Sequence, residues 1–347
     1  MAGGGANAVF FQLAEVFAPF PDVTWSLAKQ AGVTHAVASL PPESIDGKPW
    51  DFMPLLRMKQ RFADNGLELA VIETGFPWLH LGKLGLPGRD EEIERCQTLI
   101  RNLGAVGVPV VCWNFMAVFN WTRTSTTVPA RGGAMVTGYD HRLMANAPHT
   151  EAGVVTEEQL WDSLRYVMEA IVPVAEEAGV KLALHPDDPP ISPIRGVGRI
   201  LTSPDAMRRA IELVPSPNNG ITLCQGTFAT MGADVPAEIR RFGGDGLAHF
   251  IHFRDVKGTP DNFVETFHDA GQTDMLEALR AWRDVGFTGP LRPDHVPTMA
   301  GEDNLAPGYQ TLGRLFALGY ITGLAEAVEK EPVGAAMAGA AAGAAGA

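Results

Sequence analysis

Short apolar runs alternate with longer amphipathic stretches along most of the chain. Eight runs rich in Val, Ile, Leu and aromatic residues predict strands, at residues 9–16, 34–40, 68–75, 108–115, 181–186, 220–226, 247–256 and 289–296. Apolar residues at helical spacing predict the helices between and after them, at residues 22–31, 52–65, 90–103, 156–178, 203–213, 236–241, 273–285 and 307–330. Buried strands that are each followed by a helix are typical of a parallel sheet covered by helices.

The number of repeats favours closure of this sheet. Eight strand–helix units predict an α/β fold of the (β/α)8 TIM-barrel type, in which the carboxyl ends of the strands meet at one rim and form the active site. An open, doubly wound sheet is the alternative, but no G-x-G-x-x-G motif follows the first strand. The sequence therefore favours the barrel.

Two segments depart from the repeat. The connection after the fourth strand, residues 115–155, is much longer than the others, and we expect it to be a lid loop over the barrel mouth. A disordered or oligomer-contacting insertion is the alternative. We expect residues 1–330 to form a single catalytic domain and the Ala- and Gly-rich tail, residues 331–347, to be disordered.

Composition narrows the class of partner. The net charge of −13 argues against nucleic acid or an anionic membrane, because phosphate binding needs clustered Lys and Arg. The three cysteines form no C-x-x-C pair, and the chain carries neither a signal-like segment nor an apolar run long enough to span a membrane. We expect a cytoplasmic protein with a small-molecule ligand, and a homo-oligomer only as a default.

Four residues able to bind a metal stand at the ends of four successive predicted strands: His185, Cys224, His252 and Asp294. Each alone is weak evidence, because a strand-end histidine or aspartate is more often structural. Their common register predicts that they converge on one ion. Imidazole, thiolate and carboxylate together suit a divalent first-row metal that leaves positions open for substrate.

Further polar residues lie beside these four. Asp187 and Asp188 follow His185 and are candidates for orienting the ligands, and His295 follows Asp294 and is a candidate general acid or base. Asn114 and Arg254, at the ends of the fourth and seventh predicted strands, are candidate anchors for a substrate hydroxyl and carboxylate. A structural hydrogen bond or salt bridge is the equally weighted alternative for this pair.

Several motifs of the chain resemble those of the mannonate dehydratase family. They are HPDDPP (185–190), CQGT (224–227), FIHFRD (250–255), RPDH (292–295) with a later PGY (307–309), VVCWNFMAVFNWTRT (110–124) and TFHDAGQTDM (266–275). The resemblance implies a xylose-isomerase-like barrel that holds Mn²⁺, or Fe²⁺, on residues matching His185, Cys224, His252 and Asp294. It also implies that His295 and Tyr309 are the catalytic acid and base.

The activity implied by the resemblance is that of a hydro-lyase of hexuronate breakdown, which converts D-mannonate to 2-keto-3-deoxy-D-gluconate and water. The family's W-R-W-Y-G and L-H-H-I-P segments are replaced here by VFAPFPDVTW (16–25) and ASLPPESIDGKPW (38–50), so a closely related aldonic acid is also considered. Two alternatives remain open at this point. One is a metal-dependent sugar isomerase or epimerase that uses Glu73, and the other is a non-enzymatic metal sensor.

Overall fold

Eight parallel strands close into a barrel in the computed structural model, which describes residues 9–43, 45, 47–73 and 76–331. The strands are β1 (Gln12–Phe17), β2 (His35–Ala38), β3 (Glu68–Glu73), β4 (Val110–Asn114), β7 (Lys181–His185), β8 (Asn219–Cys224), β9 (Ala248–Phe253) and β12 (Pro290–Pro293), hydrogen-bonded in the order β1-β12-β9-β8-β7-β4-β3-β2. The predicted (β/α)8 barrel is confirmed. Thr74 and Gly75, at the end of the third predicted strand, lie outside the described residues.

Helices surround the barrel at the predicted positions. They are α1 (Val23–Gln30), α2 (Phe52–Asp64), α4 (Arg89–Val106), α5 (Glu157–Ala178), α6 (Pro204–Glu212), α8 (Val235–Gly244), α9 (Met275–Asp284) and α10 (Thr311–Glu329), with the short helices α3 (His80–Leu84) and α7 (Gln225–Thr230) in addition. Local chemistry explains their limits. Helix α5 begins at a capping box of Thr156 and Gln159 and ends at Gly179, whose φ of 67° is left-handed.

The core has two layers. The larger layer fills the space between the strands and the helices, and it includes the fully buried Trp113 and Trp282. The smaller layer lies among the strands and is built mostly from small residues, among them Ala14, Ala70 and Ala183. Polar side chains follow at the carboxyl ends of the strands, so the barrel has an apolar base and a chemically active rim.

The long segment after β4 has secondary structure of its own, which differs from the predicted loop. It contains β5 (Ser125–Pro129) and β6 (Met135–Asp140), and β6 pairs with a hairpin of β10 (Val256–Thr259) and β11 (Asn262–Glu265) that follows β9. We call these four antiparallel strands, in the order β10-β11-β6-β5, the accessory sheet. The seventh predicted strand was too long, since it continued through β9 into β10. The lid role of the segment stays a prediction.

The structure bears in part on two further expectations, which concern membrane-spanning segments and the C-terminal tail. No helix among the described residues combines the length and the apolar character needed to cross a bilayer. Of the tail, only Glu331 is described, and the expected disorder of residues 332–347 concerns residues outside the described part of the chain.

Candidate active site

Side chains from six strand ends line one cavity of about 280 Å³ at the rim of the barrel. Strand register brings them together. Asn114 is paired with His185 across β4 and β7, Cys224 with His252 across β8 and β9, and His252 with Arg292 across β9 and β12. Residues that the sequence places at the ends of separate strands are therefore neighbours in the folded barrel.

A group of three possible metal ligands forms one side of the site. One ligand atom each from His185, Cys224 and His252 lies within 4.8 Å of the other two. His185 Nδ1 is 2.7 Å from the carbonyl oxygen of Pro186 and donates to it, which leaves Nε2 free as a ligand. The chemistry of these donors fits a divalent first-row cation.

His252 gives an independent indication of a ligand. Its side chain is 3% exposed, and neither ring nitrogen has a hydrogen-bond partner among the described residues. The Nε2 atom lies 3.1 Å from Glu73 Oε1, but outside hydrogen-bonding geometry. A buried polar atom without a partner costs free energy. A cation bound to this imidazole would remove that cost.

Two hydrogen-bond donors lie beside the Cys224 sulfur. Its Sγ accepts hydrogen bonds from the Thr227 hydroxyl at 3.1 Å and from Arg254 Nη1 at 3.3 Å. A thiolate, rather than a thiol, is the form that binds metal. The site therefore directs two hydrogen-bond donors at the sulfur that would bind the metal.

Asp294 lies beside the group of three, and its ligand role stays a prediction. Its Oδ2 is 3.6 Å from His252 Nδ1, and its Oδ1 accepts from Arg292 at 3.0 Å. Burial by itself would raise the pKa of Asp294, but His295 and Arg292 hold it well below its usual range. The carboxylate is therefore ionised at neutral pH and available to a cation.

A second group, made of Glu73, Cys112 and His252, has similar spacing but less suitable chemistry. Arg292 occupies both carboxylate oxygens of Glu73, at 2.7 and 2.9 Å. Burial raises the pKa of the Cys112 thiol well above its usual value, so its sulfur stays protonated at neutral pH. The group that contains Cys224 therefore fits the predicted metal site better than this one.

His295 and Tyr309 form a hydrogen-bonded pair on the wall of the same cavity. The Nε2 of His295 is 3.1 Å from the Tyr309 hydroxyl, and the Trp121 ring lies 4.9 Å from the imidazole. Burial, reinforced by the charge of Asp294, raises the pKa of Tyr309 well above its usual value. The phenol is therefore protonated at neutral pH and can donate a proton or a hydrogen bond.

The two predicted substrate anchors differ in their surroundings. Asn114 lines the cavity, and its amide is oriented by Lys83, Asn120 and the backbone N–H of Met116. Arg254 also lines the cavity, but its guanidinium is used on the Glu265 carboxylate, Asp188 and the Cys224 sulfur. Contact of either residue with substrate stays a prediction.

Sequence reasoning missed Arg123 and Glu265. Arg123 precedes β5 and lies in the WTRT motif, which was the signal that could have identified it. Glu265 ends β11, in a hairpin that the strand prediction did not separate. Both side chains are 1% exposed and lie beside His295.

Replacing Cys224 by Ser should change which metal the site prefers. A hydroxyl is a harder ligand than a thiolate, so we expect affinity for Fe²⁺ or Co²⁺ to fall more than affinity for Mn²⁺. Competition titrations of the three ions on wild-type and Cys224→Ser protein measure this. The matched control is Cys96→Ser, which changes a buried cysteine on the outer helix α4. Equal weakening of all three ions would argue against a direct sulfur–metal bond.

Comparison with known proteins identifies the family of the chain and agrees with its fold. The sequence model of the D-mannonate dehydratase (UxuA) family matches residues 15–154 and 149–333 of the chain. Mannonate dehydratase 2 of Halalkalibacterium halodurans is 38% identical over 339 residues, which cover 90% of this chain and 97% of that protein. The mannonate dehydratase of Thermotoga maritima is 37% identical over 334 residues, covering 86% and 91%.

Two solved structures have the same fold as this chain. The crystal structure of mannonate dehydratase from Streptococcus suis serotype 2 superposes with a TM-score of 0.83 at 33% identity, covering 93% of this chain and 95% of that one. A xylose isomerase domain protein from Planctomyces limnophilus superposes with a TM-score of 0.61 at 14% identity, covering 94% of this chain and 100% of that one. At that identity the second likeness supports the xylose-isomerase-like barrel and nothing further.

Proposed function

The chain belongs to the D-mannonate dehydratase family, and from this premise we propose that it is a hydro-lyase that converts D-mannonate to 2-keto-3-deoxy-D-gluconate and water. One observation supports this function most directly. The His295–Tyr309 pair lines the same cavity as His185 and His252, and the ligand atoms of these two histidines lie within 4.8 Å of the Cys224 sulfur. Dehydration of a sugar acid needs an acid and a base beside a centre that can stabilise negative charge.

The metal assignment is part of the proposal. We place a divalent ion, Mn²⁺ or Fe²⁺, on His185, Cys224 and His252, with Asp294 as the fourth ligand. When bound there, such an ion supplies Lewis-acid stabilisation of the negative charge that develops on the substrate. Two observations support it: the His252 nitrogens have no hydrogen-bond partner in the part of the chain that the structure describes, and two donors lie beside the Cys224 sulfur.

The acid and base roles follow from the hydrogen bond between the catalytic residues. Tyr309 is protonated at neutral pH, and we assign its hydroxyl as the donor and His295 Nε2 as the acceptor of this hydrogen bond. We assign His295 as the base that removes the proton from the carbon beside the carboxylate. Tyr309 then donates a proton to the hydroxyl that leaves the next carbon. The resulting enol rearranges to the 2-keto-3-deoxy acid.

The rest of the cavity would bind the sugar acid. Asn114 presents an oriented amide to the substrate hydroxyls, and Trp121 covers one side of the pocket beside His295. Arg254 is proposed as a contact for the substrate carboxylate in addition to its contacts within the protein. A cytoplasmic location and a homo-oligomeric state remain part of the proposal.

The isomerase or epimerase alternative is not favoured. Sugar epimerases superpose on this chain, but at 12–16% identity, which supports only the barrel. Glu73, the carboxylate suggested for that chemistry, is held by Arg292 through both oxygens.

Product analysis on a panel of aldonic acids with Mn²⁺ tests the proposed function. We expect D-mannonate to yield a 2-keto-3-deoxy acid with the loss of one water, detected by mass and by reaction of the keto acid with semicarbazide. Turnover of another aldonic acid in preference to D-mannonate would correct the substrate but keep the reaction. Conversion of free sugars without change in mass, or no turnover at all, would contradict the dehydratase assignment.

A further inference from the structure

A buried cluster of charged residues surrounds the side of His295 that faces away from Tyr309. It consists of Arg123, Asp188, Arg254 and Glu265, whose side chains are 1–3% exposed. Two guanidinium groups and two carboxylates balance in charge. Asp188, Glu265 and His295 have the spacing of a metal site, but the two arginines already occupy the carboxylate oxygens. We therefore interpret the cluster as a support for His295.

The directions of the Arg123 N–H groups indicate which ring nitrogen of His295 carries its proton. Its Nη2 lies 2.8 Å from Asp188 Oδ2 and 2.6 Å from Glu265 Oε1, so both hydrogens of this nitrogen are directed at carboxylates. Its Nη1 donates to Asp188 Oδ1 and to the carbonyl oxygen of Thr122. Nη2 also lies 3.2 Å from His295 Nδ1, which is the longest of its three contacts, so the two carboxylates are its main acceptors.

His295 Nδ1 is assigned as the donor because its shorter contact is to a carboxylate oxygen, which can only accept. Its acceptor is Glu265 Oε1 at 3.0 Å. In a neutral imidazole one nitrogen carries the proton and the other accepts, so a proton on Nδ1 leaves Nε2 free to accept from Tyr309. This is the tautomer that the proposed base needs.

We propose that Glu265 is a positioning residue, which holds His295 in the Nδ1–H tautomer and directs its Nε2 at Tyr309 and the cavity. This inference rests on the proposed function, because it gives His295 the role of base. Glu265 does not line the cavity, so it acts through the side chains that it holds, and the imidazole of His295 is one of them. Arg123 and Arg254 in turn fix the Glu265 carboxylate from two sides.

The backbone indicates that His295 is held in place. Its φ is 41°, a left-handed value that is unfavourable for a side chain with a Cβ and that occurs mainly where the surroundings impose it. Glu265 ends β11, and Arg123 leads into β5. The accessory sheet thus places both residues at the barrel rim, beside His295.

A double-mutant cycle separates positioning from a general structural effect. Glu265→Gln removes the charge with little change in shape, and we expect kcat to fall about 10- to 100-fold with little change in KM, the scale of a lost outer-shell partner. In the His295→Asn background the same substitution should change kcat by less than about 3-fold, because residues that act as one unit are not additive.

Asp187→Asn is the matched control. Asp187 is an equally buried carboxylate on the same rim, held by Arg199 and by the backbone N–H groups of Ile200 and Leu201, and none of these contacts involves His295. Its effect, whatever the size, should be the same in both backgrounds. If Glu265→Gln also lowers kcat by the same factor in both backgrounds, Glu265 acts through the fold and the inference is wrong.

The tautomer can be measured without any substrate. The ¹⁵N chemical shifts of the His295 ring, identified by their loss in His295→Asn and recorded with Mg²⁺ as a diamagnetic ion, should show a protonated Nδ1 and a bare Nε2. Glu265→Asp keeps the charge that the arginines need but is one carbon shorter, so it should shift this equilibrium even if Glu265→Gln does not fold. A bare Nδ1 in the wild type would overturn the inference. A wild type with this tautomer but no dehydratase activity would overturn only the proposed function.

Discussion

The single variants His185→Ala, Cys224→Ala and His252→Ala are each expected to lose affinity for the divalent ion by more than about 100-fold and to lose turnover with it. Removal of a residue that only hydrogen-bonds to a metal ligand already lowers metal affinity about 10- to 100-fold. Loss of a direct ligand should lower it at least as much. The three ligand atoms lie within 4.8 Å of one another, so each removal leaves an incomplete set. Elemental analysis after dialysis measures the effect.

His249→Gln is the control for these variants. His249 is buried in the same strand as His252, but its Nδ1 interacts with the carbonyl oxygen of Leu182 rather than with the rim. We expect this variant to keep its metal, although it can lose stability. Undiminished metal content in all three ligand variants would exclude the assigned site. Asp294→Ala belongs to the same series, and full metal retention there would remove Asp294 from the ligand set.

His295→Asn is expected to lower kcat by roughly 100-fold or more while metal content and fold are preserved, since this is the usual scale of a lost general acid or base. Asn retains polarity but cannot take up a proton at neutral pH. Tyr309→Phe should act similarly, because it removes the hydroxyl that lies 3.1 Å from His295 Nε2 and leaves the ring in place. Steady-state kinetics, metal analysis and thermal unfolding of each variant measure these effects.

A second histidine–tyrosine pair provides the control. His141 Nδ1 is 2.8 Å from the Tyr139 hydroxyl, at the end of β6 and away from the cavity. His141→Asn and Tyr139→Phe break an equivalent hydrogen bond, and we expect kcat to stay within about 2-fold of the wild type, as for most substitutions outside a functional site. Near-full activity of both His295→Asn and Tyr309→Phe would refute the assignment of acid and base.

The differences from the predicted structure concentrate in the accessory sheet. Strand β6 pairs with β11, more than a hundred positions later in the chain, and β5 and β11 have only five and four residues. Sequence periodicity detects a strand only when it is long enough to repeat, and it contains no information on such a distant partner. The same limit explains why residues 247–256 were predicted as one strand rather than as β9 and the start of β10.

The sequence by itself determined the barrel and the four candidate ligands. Strand and helix periods are local properties, and the ends of parallel strands necessarily meet at one rim, so equal register on separate strands predicts proximity. Only the tertiary structure decided how these residues are used. It showed that Arg292 holds Glu73, that hydrogen-bond donors lie beside the Cys224 sulfur, and that Glu265 Oε1 lies 3.0 Å from His295 Nδ1. Such choices depend on atomic distances between residues far apart in the chain, and hydrogen bonds respond to differences of a few tenths of an ångström that no residue pattern encodes.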